Sequence, residues 1–438
     1  MSKSMSTVLM GGADVDPHAE HGYLCCPDCG LLQKLPRVGI RGLNTYCVRC
    51  GATLERTRGR SINAALAMCL STLFLLIPMN LFPFLSVDIF GVHHTSIVYS
   101  GIAGIAAQGW PLVAIILALE LIVLPFFRFG FLAVVLLGVY HDYHHPHLGR
   151  LFRWSERLDQ WSMPDVFLIG CVIGYGRVAP FLPISIGIGG YCVLAVSFLT
   201  LLTRASLDRR EIWRRIGPCC QHIEEGVEYV GCPFCGLPHS KEEAQGQHCR
   251  RCGERVWRYR PNTGMRVLAL TLAGFFCYPF AYLYPMETNY QLGSLQGYTI
   301  MTGVDKLIQA NFYVFAAIIF LASVVTPFLK LFGLSWFLIS IHGQSQRKLR
   351  TKTTLFRVIR QIGRWSHIDV FTVAVFLPLM HLSGLLAVYV GKALPFFLAV
   401  VILTMIATEI FDPRLLWQKV DEQEQDESVF ANTASAQS

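Results

Sequence analysis

Eight cysteines stand in four Cys-x-x-Cys pairs, a spacing at which neighbouring thiolates can bind one metal ion. Glycine follows the second cysteine of each pair and lets the chain fold back, so that backbone amides can point at the sulfur. The pairs form two sets of four, which are Cys26, Cys29, Cys47 and Cys50, then Cys232, Cys235, Cys249 and Cys252. Each set predicts a closed tetrahedral Zn²⁺ site, although rubredoxin-like iron or a redox role would use similar spacing.

A second group of polar residues lies inside long apolar runs, where charge is costly and usually functional. Ser323 and Lys330 are two helical turns apart and share a face, and Pro327 between them leaves a backbone carbonyl without its donor. Asp369 begins a later run from the same side of the membrane. We predict a buried network that binds a lipid headgroup or passes a proton, formed by Ser323, Thr326, Lys330, Asp369 and Thr404.

The competing interpretation of these polar residues is structural. A lysine in an apolar helix can extend its ammonium to the headgroup region, and aspartates such as Asp165 and Asp369 can cap helix starts. The first half of the chain has Arg128 where the second half has Lys330, so the two halves differ at this site.

Membrane-spanning helices must position these groups. The chain has 438 residues, of which 53% are hydrophobic and 15% charged, against about a quarter charged in soluble domains. This composition excludes a disordered protein and disfavours an ordinary cytosolic enzyme. Eight apolar runs suit spans of about 20 residues, at 61–83, 110–139, 166–182, 184–202, 264–286, 311–341, 368–388 and 393–410.

The basic residues predict how the spans are oriented. With both termini in the cytoplasm, inner segments hold 32 of the 37 Lys and Arg residues and outer loops hold 3. Anionic headgroups of the inner leaflet then explain the net charge of +8, and no nucleic acid is expected. Basic amphipathic segments at 347–364 and 150–161 are expected to lie along this leaflet.

The sequence contains an internal repeat. Cys-Pro-x-Cys-Gly at 26–30 recurs at 232–236. Trp-Ser-x-x-Asp-Val-Phe at 161–167 recurs at 365–371. The predicted fold class is an α-helical polytopic membrane protein with two tandem repeats, each a zinc ribbon followed by a four-helix transmembrane bundle. The expected domains are an N-terminal tail (1–22), ribbon 1 (23–58), transmembrane domain 1 (61–204), a linker (205–230), ribbon 2 (231–260), transmembrane domain 2 (264–411) and a cytoplasmic C-terminal tail (412–438).

Other motifs narrow the range of functions. The sequence has no G-x-x-x-x-G-K-S/T phosphate loop, no H-E-x-x-H and no G-x-S-x-G, so we do not expect ATP hydrolysis or another enzyme activity. A histidine cluster in one predicted cytoplasmic loop allows either metal binding or a solvated basic loop, and it comprises His141, His144, His145 and His147.

Several longer stretches are family-specific when taken together. They are Asn-Leu-Phe-Pro-Phe at 80–84, Phe-Leu-Ala-Ser-x-x-x-Pro-x-x-Lys at 320–330, Gly-Arg-Trp-Ser-x-x-Asp-Val-Phe at 363–371 and Phe-Asp-Pro-Arg-Leu at 411–415. With the cysteine ribbons, they make the chain resemble the paraquat-inducible protein A family of bacterial inner-membrane proteins from about Cys25 to Trp417. The segment at 279–286 departs from the family pattern.

The resemblance implies an inner-membrane subunit that moves phospholipids or other hydrophobic molecules to a periplasmic partner with MCE (mammalian cell entry) domains. It also implies that Ser323, Lys330, Asp369 and Thr404 contribute to transport, with coupling to protons. Two alternatives stay open. One is an ion or metal transporter with the ribbons as sensors, and the other is a thiol or quinone oxidoreductase, which requires reactive cysteines on the periplasmic side.

Overall fold

The computed structural model describes residues 21–36, 44–56, 62–89, 92–143, 145–178, 183–217, 223–224, 227–291, 294–379 and 386–424. His144, most of both predicted tails, part of the predicted linker and residues 380–385 of a predicted span lie outside these ranges.

Ribbon 1 consists of two antiparallel hairpins that carry the cysteine turns. The first hairpin pairs β1 (His21–Cys25) with β2 (Leu32–Pro36), and the second pairs β3 (Asn44–Tyr46) with β4 (Thr53–Arg56). Each Cys-x-x-Cys pair lies at one end of a hairpin, so the two hairpins bring four sulfurs together.

The first membrane domain follows as helices with a small sheet at one end. Its elements are α1 (Ile62–Leu81), β5 (Leu85–Ile89), β6 (Val92–Ser96), α2 (Val98–Ala107), α3 (Pro111–Tyr140), α4 (Leu148–Leu158), α5 (Pro164–Val178), β7 (Ile184–Ile186), α6 (Ile188–Ser206) and α7 (Arg209–Ile216).

The second half repeats this order after ribbon 2. Its elements are β8 (Tyr229–Gly231), β9 (Pro238–Ser240), α8 (Thr263–Leu283), β10 (Glu287–Gln291), β11 (Ser294–Tyr298), α9 (Ile300–Gln309), α10 (Tyr313–His342), α11 (Leu349–Ile362), α12 (Ile368–Leu379), β12 (Leu386–Val390) and α13 (Ala393–Ile410). The two expected amphipathic segments form helices α4 and α11, and their position along the inner leaflet stays a prediction.

Six helices of the described chain are long and apolar enough to cross a membrane, namely α1, α3, α6, α8, α10 and α13. The structure describes 15 residues of α5 and 12 of α12, the third helix of each half, and their crossing stays a prediction. The predicted end of the seventh span at residue 388 was wrong, because residues 386–390 form strand β12. The predicted start of the fourth span at residue 184 was wrong. Residues 184–186 instead form strand β7, because they complete a three-stranded sheet beside β5, as β12 does beside β10.

The two halves meet where α5 packs against α12. A Cβ atom added at Gly170 would lie 3.1 Å from the Cβ of Phe371, and one at Gly174 would lie 3.0 Å from Val375. Small residues therefore let the two third helices approach closely, as is typical of helix contacts in membranes.

The ribbons are exchanged between the halves. Arg357 of α11, in the second half, donates to the carbonyl of Cys50 in ribbon 1 at 2.9 Å. Arg153 of α4, in the first half, pairs with Glu254 of ribbon 2 at 3.1 Å. Each ribbon thus packs on the amphipathic helix of the opposite membrane domain, which sequence order alone does not indicate.

Candidate functional site

In ribbon 1 the four sulfurs form a closed, buried cluster. Cys26 and Cys50 have their Sγ atoms 3.6 Å apart, and those of Cys29 and Cys47 are 3.5 Å apart. Tetrahedral zinc–sulfur bonds would place sulfurs about 3.8 Å apart, so the cluster has the size of a metal site. Gln33 donates to the sulfur of Cys47 at 3.1 Å and holds one ligand in place.

Ribbon 2 repeats this arrangement with one additional group. The Sγ atoms of Cys232 and Cys252 are 3.5 Å apart, and those of Cys235 and Cys249 are 3.6 Å apart. Nε2 of His239 lies 3.3 Å from the sulfur of Cys249.

A positive backbone φ explains the glycine after each pair. The φ angles of Gly30, Gly51, Gly236 and Gly253 lie between 67° and 78°, where a side chain would be strained. In every pair the glycine amide then donates to the carbonyl of the first cysteine, as Gly30 does to Cys26 at 2.9 Å. The predicted four-cysteine clusters are therefore confirmed as groups that could hold metal ions.

The predicted histidine site has no such geometry. Within the part of the chain that the structure describes, the two cysteine sets are the groups that could hold a metal, and His141, His145 and His147 do not form one.

Lys330 lies on α10 and is only 1% exposed. Its Nζ donates to the carbonyl of Gly363 at 2.9 Å and lies 3.5 Å from Oγ1 of Thr404. Among the described residues no carboxylate lies within 4.0 Å of this ammonium. The structure thus brings together Lys330 and Thr404, two of the five predicted network residues, around neutral oxygen atoms.

The helix before Lys330 is irregular in the way that its proline predicts. Residues 320–325 form a π turn, and Pro327 follows at the start of the next regular turn. Thr326 donates to the carbonyl of Leu321 at 2.8 Å, which partly replaces the lost bonding. The carbonyl of Ser323 accepts from the Tyr282 hydroxyl, while the Ser323 hydroxyl is fully buried and makes no hydrogen bond to the described residues.

Asp369 lies near this site without pairing with Lys330. It is 7% exposed and lines a small cavity of about 30 Å³, together with Glu287, Thr299 and Thr372. The structure therefore places the aspartate in the same domain as the lysine, but separates it from the lysine by more than an ion-pair distance.

Sequence reasoning missed one close contact between two buried polar side chains. Oε1 of Glu120 lies 3.1 Å from Nε2 of His367, and the two side chains are 2% and 0% exposed. Glu120 belongs to the first half and His367 to the second, so the contact joins the repeats. Divergence between the repeats was the sequence signal that could have revealed this contact. The second half has Ala322 at the position equivalent to Glu120, and the first half has Met163 at the position equivalent to His367.

The first half surrounds its own cation with carboxylates. Arg128, the counterpart of Lys330, is 3% exposed and pairs with Asp159. Arg204 pairs with Asp159 at 2.8 Å and with Asp165 at 2.6 Å. Although burial alone would raise the pKa of Asp159, the two arginines hold it well below its usual range.

These features define a multi-pass membrane protein made of two repeats. Each repeat has a four-cysteine ribbon and an irregular long helix, α3 or α10, that carries a buried cation. The family described as paraquat-inducible protein A matches residues 62–217 and 265–421. The chain belongs to this family.

Three relatives of the chain are named as intermembrane transport proteins or as a tunnel protein. The chain is 30% identical to the intermembrane transport protein PqiA of Escherichia coli K12, over 94% of this chain and 99% of that protein. It is 31% identical to the lipophilic envelope-spanning tunnel protein A of the same strain, over 90% and 91%. A probable intermembrane transport protein of Haemophilus influenzae is 24% identical over 91% and 96%. No solved structure is a significant match.

Proposed function

We propose that the chain is an inner-membrane subunit of a lipid transport system, which exchanges phospholipid or another hydrophobic molecule with a periplasmic partner built from MCE domains. Membership in the family supports this proposal, as do relatives named for intermembrane transport and for a lipophilic tunnel. Both termini and both ribbons then face the cytoplasm, as the distribution of basic residues predicts.

The observation that carries the proposal is the buried ammonium of Lys330. A charge taken out of water is expensive unless a counter-charge accompanies it, and the partners of Lys330 in the described part of the chain are neutral oxygen atoms. A lipid phosphate that entered from the bilayer would supply the missing negative charge. The hydroxyls of Ser323, Thr326 and Thr404 and the carboxyl of Asp369 complete the proposed transport site.

Each ribbon fits a structural Zn²⁺ ion held by its four thiolates. The ribbons span about 35 residues, which is too little chain to bury an adequate core without a metal. In the reducing cytoplasm these thiols would bind metal rather than form disulfides.

Capture of a photocrosslinkable phospholipid by the purified chain tests the transport site. The Lys330→Ala variant should lose most of the lipid crosslinking in the second membrane domain. It should also fail to restore detergent resistance to cells from which the gene for this protein has been deleted. Lys352→Ala is the control, because Lys352 is also buried but lies on the amphipathic helix α11, outside the apolar spanning helices, with serine oxygens as its described partners at 2.6 Å, 3.0 Å and 3.1 Å. Full lipid capture and full complementation by Lys330→Ala, at normal membrane abundance, would refute the proposal.

The partner is tested at the opposite end of the molecule. Leu295 on β11 is 70% exposed and Tyr99 at the start of α2 is 67% exposed, beside the sheets that face the proposed periplasm. A photoreactive amino acid at Leu295 should crosslink to the MCE partner in cells. The same amino acid at Met265, an exposed residue at the other end of α8, should not. Crosslinking only at Met265 would contradict the proposed orientation.

A further inference from the structure

A cavity of about 380 Å³ opens at the ribbon-side end of the first membrane domain. Its walls come from both halves: α3, α4, α6 and α7 of the first, and α11 with the turn after it in the second. Six of the 14 residues that line the cavity are arginines, and two are carboxylates. This excess of positive charge in an open cavity favours an anionic ligand.

Three of the arginines belong to the first half and are already neutralised. Arg128 and Arg204 pair with Asp159, and Arg209 pairs with Glu156 at 2.8 Å. Arg204 also reaches Asp165, just outside the cavity. These ion pairs account for the carboxylates of the cavity wall.

The other three arginines come from the second half, and among the described residues one of them, Arg357, has a carboxylate partner. Arg357 lies 3.5 Å from Asp28 and is held by carbonyls of ribbon 1. Arg360 lies 5.9 Å from the ring of Phe356, and neither it nor Arg364 has a carboxylate within 4.0 Å among the described residues.

The surroundings of Arg364 disfavour the positive charge of its guanidinium. Burial, and then the nearby guanidinium of Arg204, lower the pKa of Arg364 from its ordinary value. An anion between these groups would relieve that repulsion.

Divergence of the repeats points to the same two residues. At the positions 204 residues before Arg360 and Arg364, the first half has Glu156 and Gln160. The second half has thus contributed two extra cations to a cavity of the first half. Leu132 and Leu207 also line the cavity, so apolar surface lies beside the charged groups.

We propose that this cavity binds a phosphate-bearing anion, either the headgroup of an anionic phospholipid or a free phosphate, through Arg360 and Arg364. Guanidinium forks suit phosphate oxygens, and the volume lies in the range of small-ligand pockets. The lipid form rests on the transport function proposed above. It adds a second headgroup site in the first repeat, separate from that at Lys330.

The test uses the full-length protein in phosphatidylcholine nanodiscs that contain a trace of photoreactive phosphatidylglycerol, with labelled peptides mapped by mass spectrometry. The wild type should be labelled on peptides of α4 and α11. Arg360→Gln with Arg364→Gln should reduce this labelling by at least about tenfold, because two charge-assisted contacts are lost. The control, Arg347→Gln with Lys348→Gln, removes the same charge outside the cavity and should label normally.

Adding inorganic phosphate distinguishes a bound phospholipid headgroup from a bound free phosphate. Labelling that phosphate does not displace supports a lipid headgroup. A rise in melting temperature with phosphate, present in the wild type and absent in the double variant, supports a soluble anion. The cavity proposal is overturned if the double variant labels like the wild type, or if neither probe binds. The same mass-spectrometric peptide map reports labelling around Lys330. A negative result at the proposed transport site is therefore distinguished from a negative result at the arginine cavity.

Discussion

The two repeats place a cation at the same point of their second long helix and surround it differently. Arg128 is paired with the carboxylate of Asp159. Lys330 instead bonds to the carbonyl of Gly363, which occupies the position equivalent to Asp159. The first repeat therefore contains a closed ion pair at this position, whereas in the second no described carboxylate pairs with the ammonium.

This difference separates structural from functional roles within one duplicated fold. A buried ion pair holds its elements together and has no charge left for a ligand. A buried cation with neutral partners costs stability but can accept an anion. We infer that Arg128 holds the scaffold of the first repeat together, whereas the equivalent Lys330 belongs to the proposed transport site of the second.

The largest effect is expected from the ribbons, which are exchanged between the repeats. Cys29→Ser should remove the metal of ribbon 1 and expose α11 of the second repeat to hydrogen exchange, whereas Cys235→Ser should expose α4 of the first. Structural zinc contributes about 10–16 kcal/mol of binding free energy in isolated modules, so the local loss should be complete. Faster exchange confined to the membrane domain that follows each ribbon would contradict the exchanged arrangement. Metal content by mass spectrometry identifies the ion.

Alanine at the two equivalent cations should give opposite phenotypes. Arg128→Ala leaves Asp159 partly uncompensated and should destabilise the protein by about 3–5 kcal/mol, with reduced membrane abundance. Lys330→Ala should keep normal abundance and lose transport, measured as detergent resistance of complemented deletion cells. Equal loss of abundance in both variants would remove the distinction between the repeats.

A carboxylate can be moved from one repeat to the other. Gly363→Asp places a carboxylate beside Lys330, as Asp159 lies beside Arg128; because a Cβ at Gly363 would lie 2.6 Å from Cε of Lys330, the end of the flexible lysine side chain must shift. We expect transport to fall by about tenfold or more, without loss of thermal stability, since the new ion pair competes with the anionic ligand. Gly363→Ala controls for the added volume. If the alanine variant is equally impaired, crowding and not charge is the cause.

The smallest effect concerns the pair that joins the repeats. His367→Met and Glu120→Ala each introduce the residue that the other repeat has at the equivalent position. Each change leaves the other polar side chain buried, which should lower the free energy of unfolding by about 1–3 kcal/mol. The double variant should be more stable than the sum of the two single changes by about 1 kcal/mol, because neither orphan remains. Unfolding temperatures of the four proteins measure this coupling. Additive losses would show that Glu120 and His367 do not interact.

Local patterns predicted the elements well where one physical signal dominated. The first, second, fifth, sixth and eighth apolar runs match helices closely, and 393–410 is correct at both ends, because a membrane span needs continuous apolar length. Residues 184–186 were misassigned to a helix because short apolar runs suit strands equally well, and only pairing with β5 decides between them.

The sequence by itself determined the duplicated plan, the two four-cysteine clusters and the candidate role of Lys330, since each depends on spacing within one segment. Only the tertiary structure decided which domain each ribbon packs on, that Glu120 meets His367, and that arginines of one repeat line a cavity of the other. Those contacts join residues that are far apart in the chain. Their geometry depends on how the helices pack, and no local spacing records it.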